Sequence, residues 1–238
     1  MDKKDPRAVK IIEKAVKKSG GRRCLKGVQD IRIESQYATY SDTILYRSPD
    51  RIRRDSNFPW GKLQMGFDGI RSWHTVESGK TVDDGEKKTP AIQWLFHYID
   101  ALFLYGLLTN EAQLEFMGHV TVEIIEKDEI VTRPADLVKV AYPDEWIFMM
   151  YFNRKTGLPI KFECVHGKGE NRKLVRYLRH YRSHHKVMLP QRVIEINPHN
   201  RERTKTKVKY TLNAKVRRKE FKAPDLAEES ASAGAKAS

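Results

Sequence analysis

Three histidines stand close together in YLRHYRSHHKV, and on a helix His180 and His184 would share a face, as paired metal ligands do. The segment reads instead as a strand that ends in a turn at His184-His185. No third ligand stands at a suitable spacing, so no metal is expected. Cys24 and Cys164 lie far apart in no ligand-like pattern. Paired oxidation and two small buried hydrophobes are both open for them. Asp83 and Asp84 are adjacent carboxylates, but GKTVDDGEKKT reads as a polar loop in which solvated surface is the simpler account. The chain has neither a GxSxG elbow nor a phosphate-cradling glycine loop. No catalytic residue and no cofactor are expected.

Charge is the next source of chemistry. The formal net charge of +14 is uneven: the first 23 residues and residues 154–222 carry the basic excess, while residues 24–153 are net acidic. Such a pattern suits an anionic membrane surface, an acidic partner protein or a nucleic acid. It also suits a plain solvated exterior. In KTKVKYTLN the lysines Lys205, Lys207 and Lys209 alternate with Thr206, Val208 and Tyr210. Tyr210 therefore points away from the lysines, and stacking and charge fall on different faces, which argues against single-stranded nucleic acid.

The elements that carry these residues are legible from periodicity. With 238 residues, of which 10% are aromatic, the chain has ample material for a core and is not disordered throughout. Residues 5–19 read as a helix, with Asp5 as cap, Pro6 at its first position and Gly20-Gly21 as its stop. Ala8, Ile12, Ala15, Val16 and Ser19 form its buried stripe. From residue 25 the period changes to 2, and Asp68-Gly69 marks a hairpin. Strands resume after a helical insert at about 92–116. WIFMMYF, residues 146–152, should be covered on both faces, and Ile160, Phe162 and Cys164 should alternate with Lys161 and Glu163. Two strands flank the Leu189-Pro190 step. About ten strands result, and a sheet of that size has to curl.

Within the insert, QWLFHYIDALFLYGLL is too short to span a bilayer and too apolar to lie in water. Gln93, His97 and Asp100 make one narrow polar stripe on a helix that is otherwise apolar, so it should be buried nearly all round. Thr109 is expected to cap a second helix running to Phe116. Residues 1–225 read as one domain and 226–238 as a disordered tail. MDKKDPRAVK runs straight into a charged helix without a secretory signal. The periplasm is expected if a signal peptide has been removed, and the cytoplasm otherwise.

On several stretches the chain resembles the LolA-like family of periplasmic lipoprotein carriers and lipid-binding relatives, the outer-membrane lipoprotein-sorting proteins. They are AVKIIEKAVKKSGG, YRSPDRIRRD, GFDGIRSW, MMYFNRKTGLPIKFE, YLRHYRSHHKVMLPQRVIEI and LNAKVRRKEFKAP, spread over residues 5–224. Asn153 stands where the family usually has Asp, and His184-His185-Lys186 where it has an acidic residue and glycine. The resemblance implies a mainly β, α+β fold: a curved antiparallel sheet forming an incomplete β-barrel, with an N-terminal helix and a helical lid or plug on its concave face. It also implies a monomeric, non-catalytic carrier of lipid or lipoprotein acyl chains. The residues expected to line its cavity are Trp94, Leu95, Ile99, Leu102 and Phe103 from the insert. Phe148, Met150, Ile160 and Phe162 are those expected from the sheet. Gly106 and the 79–89 loop are expected to permit opening. The alternative is an interaction module with a filled core, whose basic strands dock an acidic partner or anionic surface.

Overall fold

The computed structural model describes residues 4–126, 129–167, 174–196 and 202–224. The tail expected at 226–238 lies outside the described residues. Helix α1 spans Pro6–Lys18, and the Asp5 side chain accepts from the Arg7 N–H as its cap. The expected stripe is buried, Ala8, Ile12 and Ala15 completely. Gly20, with a φ of 116°, turns the chain into a short α2, Gly21–Lys26, which the sequence reading did not anticipate. A side chain at Gly20 would meet the Lys186 carbonyl oxygen at 2.1 Å, so the position needs glycine for space as well as for φ.

Six strands follow: β1 Asp30–Gln36, β2 Ser41–Arg47, β3 Arg51–Phe58, β4 Gly61–Phe67, β5 Ser72–Thr75 and β6 Thr81–Gly85. The last overturns the expectation of a wholly irregular 79–89 loop. β6 pairs with β5, setting Val82 opposite His74 and Asp83 opposite Trp73. Helix α3 covers Pro90–Phe103 and α4 covers Tyr105–Thr109. The second helix thus ends where it was expected to begin. Residues 113–116 belong instead to β7, Gln113–Glu126, in which Leu114 is buried between exposed Gln113 and Glu115.

The remaining strands are β8 Glu129–Ala141, β9 Trp146–Asn153, β10 Pro159–His166, β11 Leu174–His184, β12 Val187–Ile196 and β13 Arg203–Leu212. Pro190 lies inside β12, opposite Tyr181, rather than between two strands. The turn is His185-Lys186, both at positive φ. Strand order is β6-β5-β4-β3-β2-β1-β13-β12-β11-β10-β9-β8-β7, thirteen strands among the described residues rather than ten. The chain is mostly β, and this antiparallel sheet is not closed into a barrel.

The chain divides into two compact units. One comprises residues 1–27 and 98–208, the other 28–97 and 209–238. In the second, β1 to β6 form a meander. Trp73 is buried and donates its indole N–H to the Phe221 carbonyl at 2.8 Å. Tyr37, Tyr40, Phe58 and Trp60 stack in sequence with centroids 4.1, 4.9 and 4.8 Å apart.

In the first unit α1 is tied to β7: the Asp5 N–H donates to the Leu114 carbonyl at 2.8 Å. The Lys4 ammonium donates to the carbonyls of Leu108 and Asn110, which lie at the C-terminal end of α4 where a cation is favoured. The hairpin β7–β8 is longer than its neighbour. β8 pairs with β9 only from Ala135 onward, so residues 129–134 overhang it. A bulge at Phe116/Gly118 adds local twist to this hairpin.

Candidate lipid-binding site

The apolar insert is α3, and its two halves belong to different units. In the second unit Ile92 and Leu95 are buried, each at 1% exposure, while Trp94 is half-buried. Phe96 meets Tyr46 and Phe67 edge-on at 6.1 and 6.4 Å, and the Lys88 ammonium lies 4.2 Å from the Phe96 ring centre. In the first unit Tyr98, Ile99, Leu102 and Phe103 are buried, and Leu104 and Leu107 continue the apolar run.

The polar stripe has a structural task at Asp100. The Asn110 amide donates to its carboxylate at 2.8 Å, and its backbone carbonyl accepts from Leu104 at 2.7 Å. A Cβ on Gly106 would lie 2.1 Å from the Asp100 carboxylate. Gly106 therefore provides room at a pinned α3–α4 corner, rather than the freedom expected of a hinge. Tyr142 is buried beside this corner. Desolvation, and then the charge of Asp100, hold its hydroxyl well above the usual tyrosine range.

The sheet supplies a wall for the first-unit half of α3. Across the strands Val138, Met150, Phe162, Arg176 and Glu195 form one rung, and Val140, Phe148 and Cys164 the next. Alternation puts both rungs on one face, here termed the core face. Phe148, Met150 and Phe162 are at most 1% exposed. Phe162 packs against Phe148 at 5.7 Å and against Tyr98 of α3 at 6.1 Å. The charge in this rung is internally matched: Arg176 donates to the Glu195 carboxylate at 2.8 and 2.6 Å, and its guanidinium lies 4.6 Å from the Tyr98 ring centre. Ile99, Leu102, Phe103, Phe148, Met150 and Phe162 are each buried, and the α3 residue seen against the wall is Tyr98.

Ile160 does not share that face. A bulge between Pro159 and Lys161 breaks the expected alternation, and Ile160 packs against a separate cluster on the opposite, far face. That cluster joins Val122, Ile124, Ile125 and Ala135 of the overhanging hairpin to Tyr177 and Ile194 of β11 and β12. Lys161 and Glu163 sit on the same face, paired at 2.7 Å, with the Lys161 ammonium 5.0 Å from the Tyr151 ring centre and 5.5 Å from that of Tyr177. Burial, together with the adjacent Glu163 carboxylate, pushes Tyr151 up to about 12.

Two grooves adjoin on this far face. One, of about 430 Å³, is lined by Ile124, Leu158, Ile160, Tyr177 and Tyr181 among others. The second, of about 290 Å³, is lined by Arg179, Arg192, Lys205 and Lys207, with Val193 and Thr206. Arg179 and His180 line both. The sequence indicated basic outer strands but not this site, which requires the pairing register of three strands.

The other candidates resolve individually. Among the described residues no group of three His, Cys, Asp or Glu side chains is placed to hold a metal. His184 lies 2.7 Å from the Gln191 amide. Cys24 and Cys164 are not joined in a disulfide. Asp83 pairs with Arg71 at 2.8 Å and Asp84 with His74 at 2.9 Å, so the two carboxylates do not act as a pair. No helix of the described chain is long and apolar enough to cross a membrane.

No family model matches the chain, and no curated protein matches it. Solved structures do. A DUF1329 family protein from Desulfovibrio piger aligns over 92% of this chain and 98% of its own, at 8% identity and a TM-score of 0.55. A LolA superfamily protein from Nitrosomonas europaea aligns over 91% and 97%, at 13% identity and a TM-score of 0.55. A domain described as an outer membrane lipoprotein-sorting protein, from Vibrio parahaemolyticus, aligns over 88% and 97%, at 10% identity and a TM-score of 0.50. The chain has a LolA-like fold.

Proposed function

We propose that the protein is a non-catalytic carrier that holds the acyl chains of lipids or lipoproteins against the core face of its sheet. The observation that carries this reading is the buried wall of Phe148, Met150 and Phe162, with Tyr98 of α3 packed against Phe162, within a LolA-like fold. Binding would draw on desolvation of the acyl chain, about 0.8 kcal/mol per buried methylene. Residues 98–103 must leave the wall for a chain to reach it. The exchange replaces one apolar contact by another, so its net cost is small relative to exposing either surface to water. Met150 suits a surface that repacks around different chains. The reading goes with a periplasmic location and with approach to an anionic membrane surface through the basic strands.

A second reading is favoured by one observation: Phe148, Met150 and Phe162 are fully covered by protein. In it the core is permanently filled, and the basic strands dock an acidic partner.

Thermal unfolding with added lysolipid or fatty acid separates the two. A carrier should gain about 5 °C or more in midpoint at a hundredfold excess over the dissociation constant. A midpoint that ignores both ligands, together with salt-sensitive binding of an acidic partner, would support the filled-core reading.

A further inference from the structure

On the far face of β11, β12 and β13, Arg179 stands directly opposite Arg192, and Arg192 directly opposite Lys207. Like charges in such cross-strand pairs repel one another and weaken the sheet. Several arginines elsewhere are matched: Arg53 with Asp55, Arg54 with Asp42, Arg133 with Glu126, Arg176 with Glu195. Among the described residues Arg179, Arg192 and Lys207 make no ion pair and no carboxylate lines their groove. The ladder between β12 and β13 begins at this rung, so the groove lies where the two strands part. Val193 and Thr206 border it as well, although alternation places their buried side chains on the core face.

The neighbouring groove has a different character. Ile124, Leu158 and Ile160 give it apolar sides, and the overhanging β7–β8 hairpin contributes Ile124. Its junction with the basic groove is Arg179-His180, and His180 sits at a φ of 52° within β11, a conformation costly for a residue other than glycine. Burial and the charges of Arg192, Arg179 and Arg182 hold His180 below its usual range. At neutral pH it therefore adds hydrogen-bonding capacity without a further charge.

We propose that this far face binds an anionic amphiphile: a lipid phosphate headgroup on Arg179, Arg192 and Lys207, with its acyl chain in the groove between Ile124, Leu158, Ile160 and Tyr177. The arginine forks match phosphate oxygens in geometry and charge. A headgroup relieves the repulsion within the rung, and the chain covers apolar side chains one groove away. Nucleic acid fits less well, because Tyr177 is 8% exposed and Tyr181 is held by its hydroxyl on the Pro159 carbonyl, leaving no open ring for a base. The proposal rests on the lipid-binding reading but assigns it a second site, with headgroup selectivity.

The test is calorimetric titration of the full chain with four probes below their aggregation limits: oleoyl lysophosphatidate, the uncharged monooleoylglycerol, inorganic phosphate and a polyglutamate peptide. The lysophosphatidate should bind about tenfold or more tighter than monooleoylglycerol. Arg192→Gln with Lys207→Gln should abolish that preference while keeping monooleoylglycerol affinity. Both positions are exposed, and an unchanged melting curve verifies the fold. Leu158→Gln should weaken lysophosphatidate and leave inorganic phosphate alone. Equal affinity for the two lipids, or a preference that survives the double variant, would overturn the headgroup site and leave lipid binding standing. Binding of neither lipid would overturn both. Inorganic phosphate or polyglutamate binding as tightly as lysophosphatidate would show a simple anion or protein-docking face instead.

Discussion

The two faces of the sheet in the first unit treat arginine differently. On the core face Arg176 is 7% exposed, and its guanidinium is bonded to Glu195 and laid over Tyr98. On the far face Arg179 and Arg192 stand opposite one another, with no carboxylate in their groove among the described residues. The contrast follows from desolvation. An unpaired charge in an apolar interior costs several kcal/mol, so the core admits a cation only with its counter-ion. At the solvent boundary repulsion costs far less, and an unmatched rung can persist for a ligand to satisfy. Burial thus commits Arg176 to its partner, and exposure leaves the charge of the Arg179, Arg192 and Lys207 rung available.

The largest effect that would break this comparison is at the wall. Phe162→Ala should destabilise the protein by about 3–5 kcal/mol in urea unfolding. A loss below about 1 kcal/mol would mean the wall is not packed against α3. Next comes Arg176→Met, which strands Glu195 and should cost about 2 kcal/mol, since Glu195 keeps some solvent. Adding Glu195→Leu should recover most of that loss. If the second change deepens it instead, the pair is not the reason Arg176 is tolerated. Gly106→Ala should cost about 1–3 kcal/mol through its clash with Asp100, and a stabilised variant would refute the pinned corner.

On the far face the expected effects are smaller. Tyr151 is pushed up to about 12, so its contribution is complete below the unfolded value near 10 and is lost as pH rises toward about 12. The urea midpoint should fall across that window, and less steeply in Tyr151→Phe; identical slopes would remove Tyr151 from the account. Smallest of all, Arg192→Gln should leave stability unchanged or raise it by up to about 0.5 kcal/mol. A clear destabilisation would mean that Arg192 has a partner in the fold.

What could be read in the sequence follows the reach of the interactions. The α1 stripe and the alternation of β13 are local patterns, and both are observed as expected. Local signals also misled. Thr109 suggested a cap, yet Gln113-Leu114-Glu115 already alternates as a strand. Ile160 looked in phase with Phe162, but the bulge after Pro159 rotates it to the other face. Gly20-Gly21 marked the end of α1 and concealed α2, because two glycines read as a stop rather than as a left-handed turn between helices. The rung Arg179, Arg192 and Lys207 is drawn from three strands. Only the register brings it together, and no spacing within the chain could have named it.

Native mass spectrometry of the gently purified protein, with lipid extraction of the same sample, tests the central claim most directly. The account predicts a bound mass of several hundred daltons that extracts as lipid, or one acquired on incubation with phospholipid. A mass equal to the bare chain that stays unchanged after incubation would contradict it, and the wall of Phe148, Met150 and Phe162 would then be core alone.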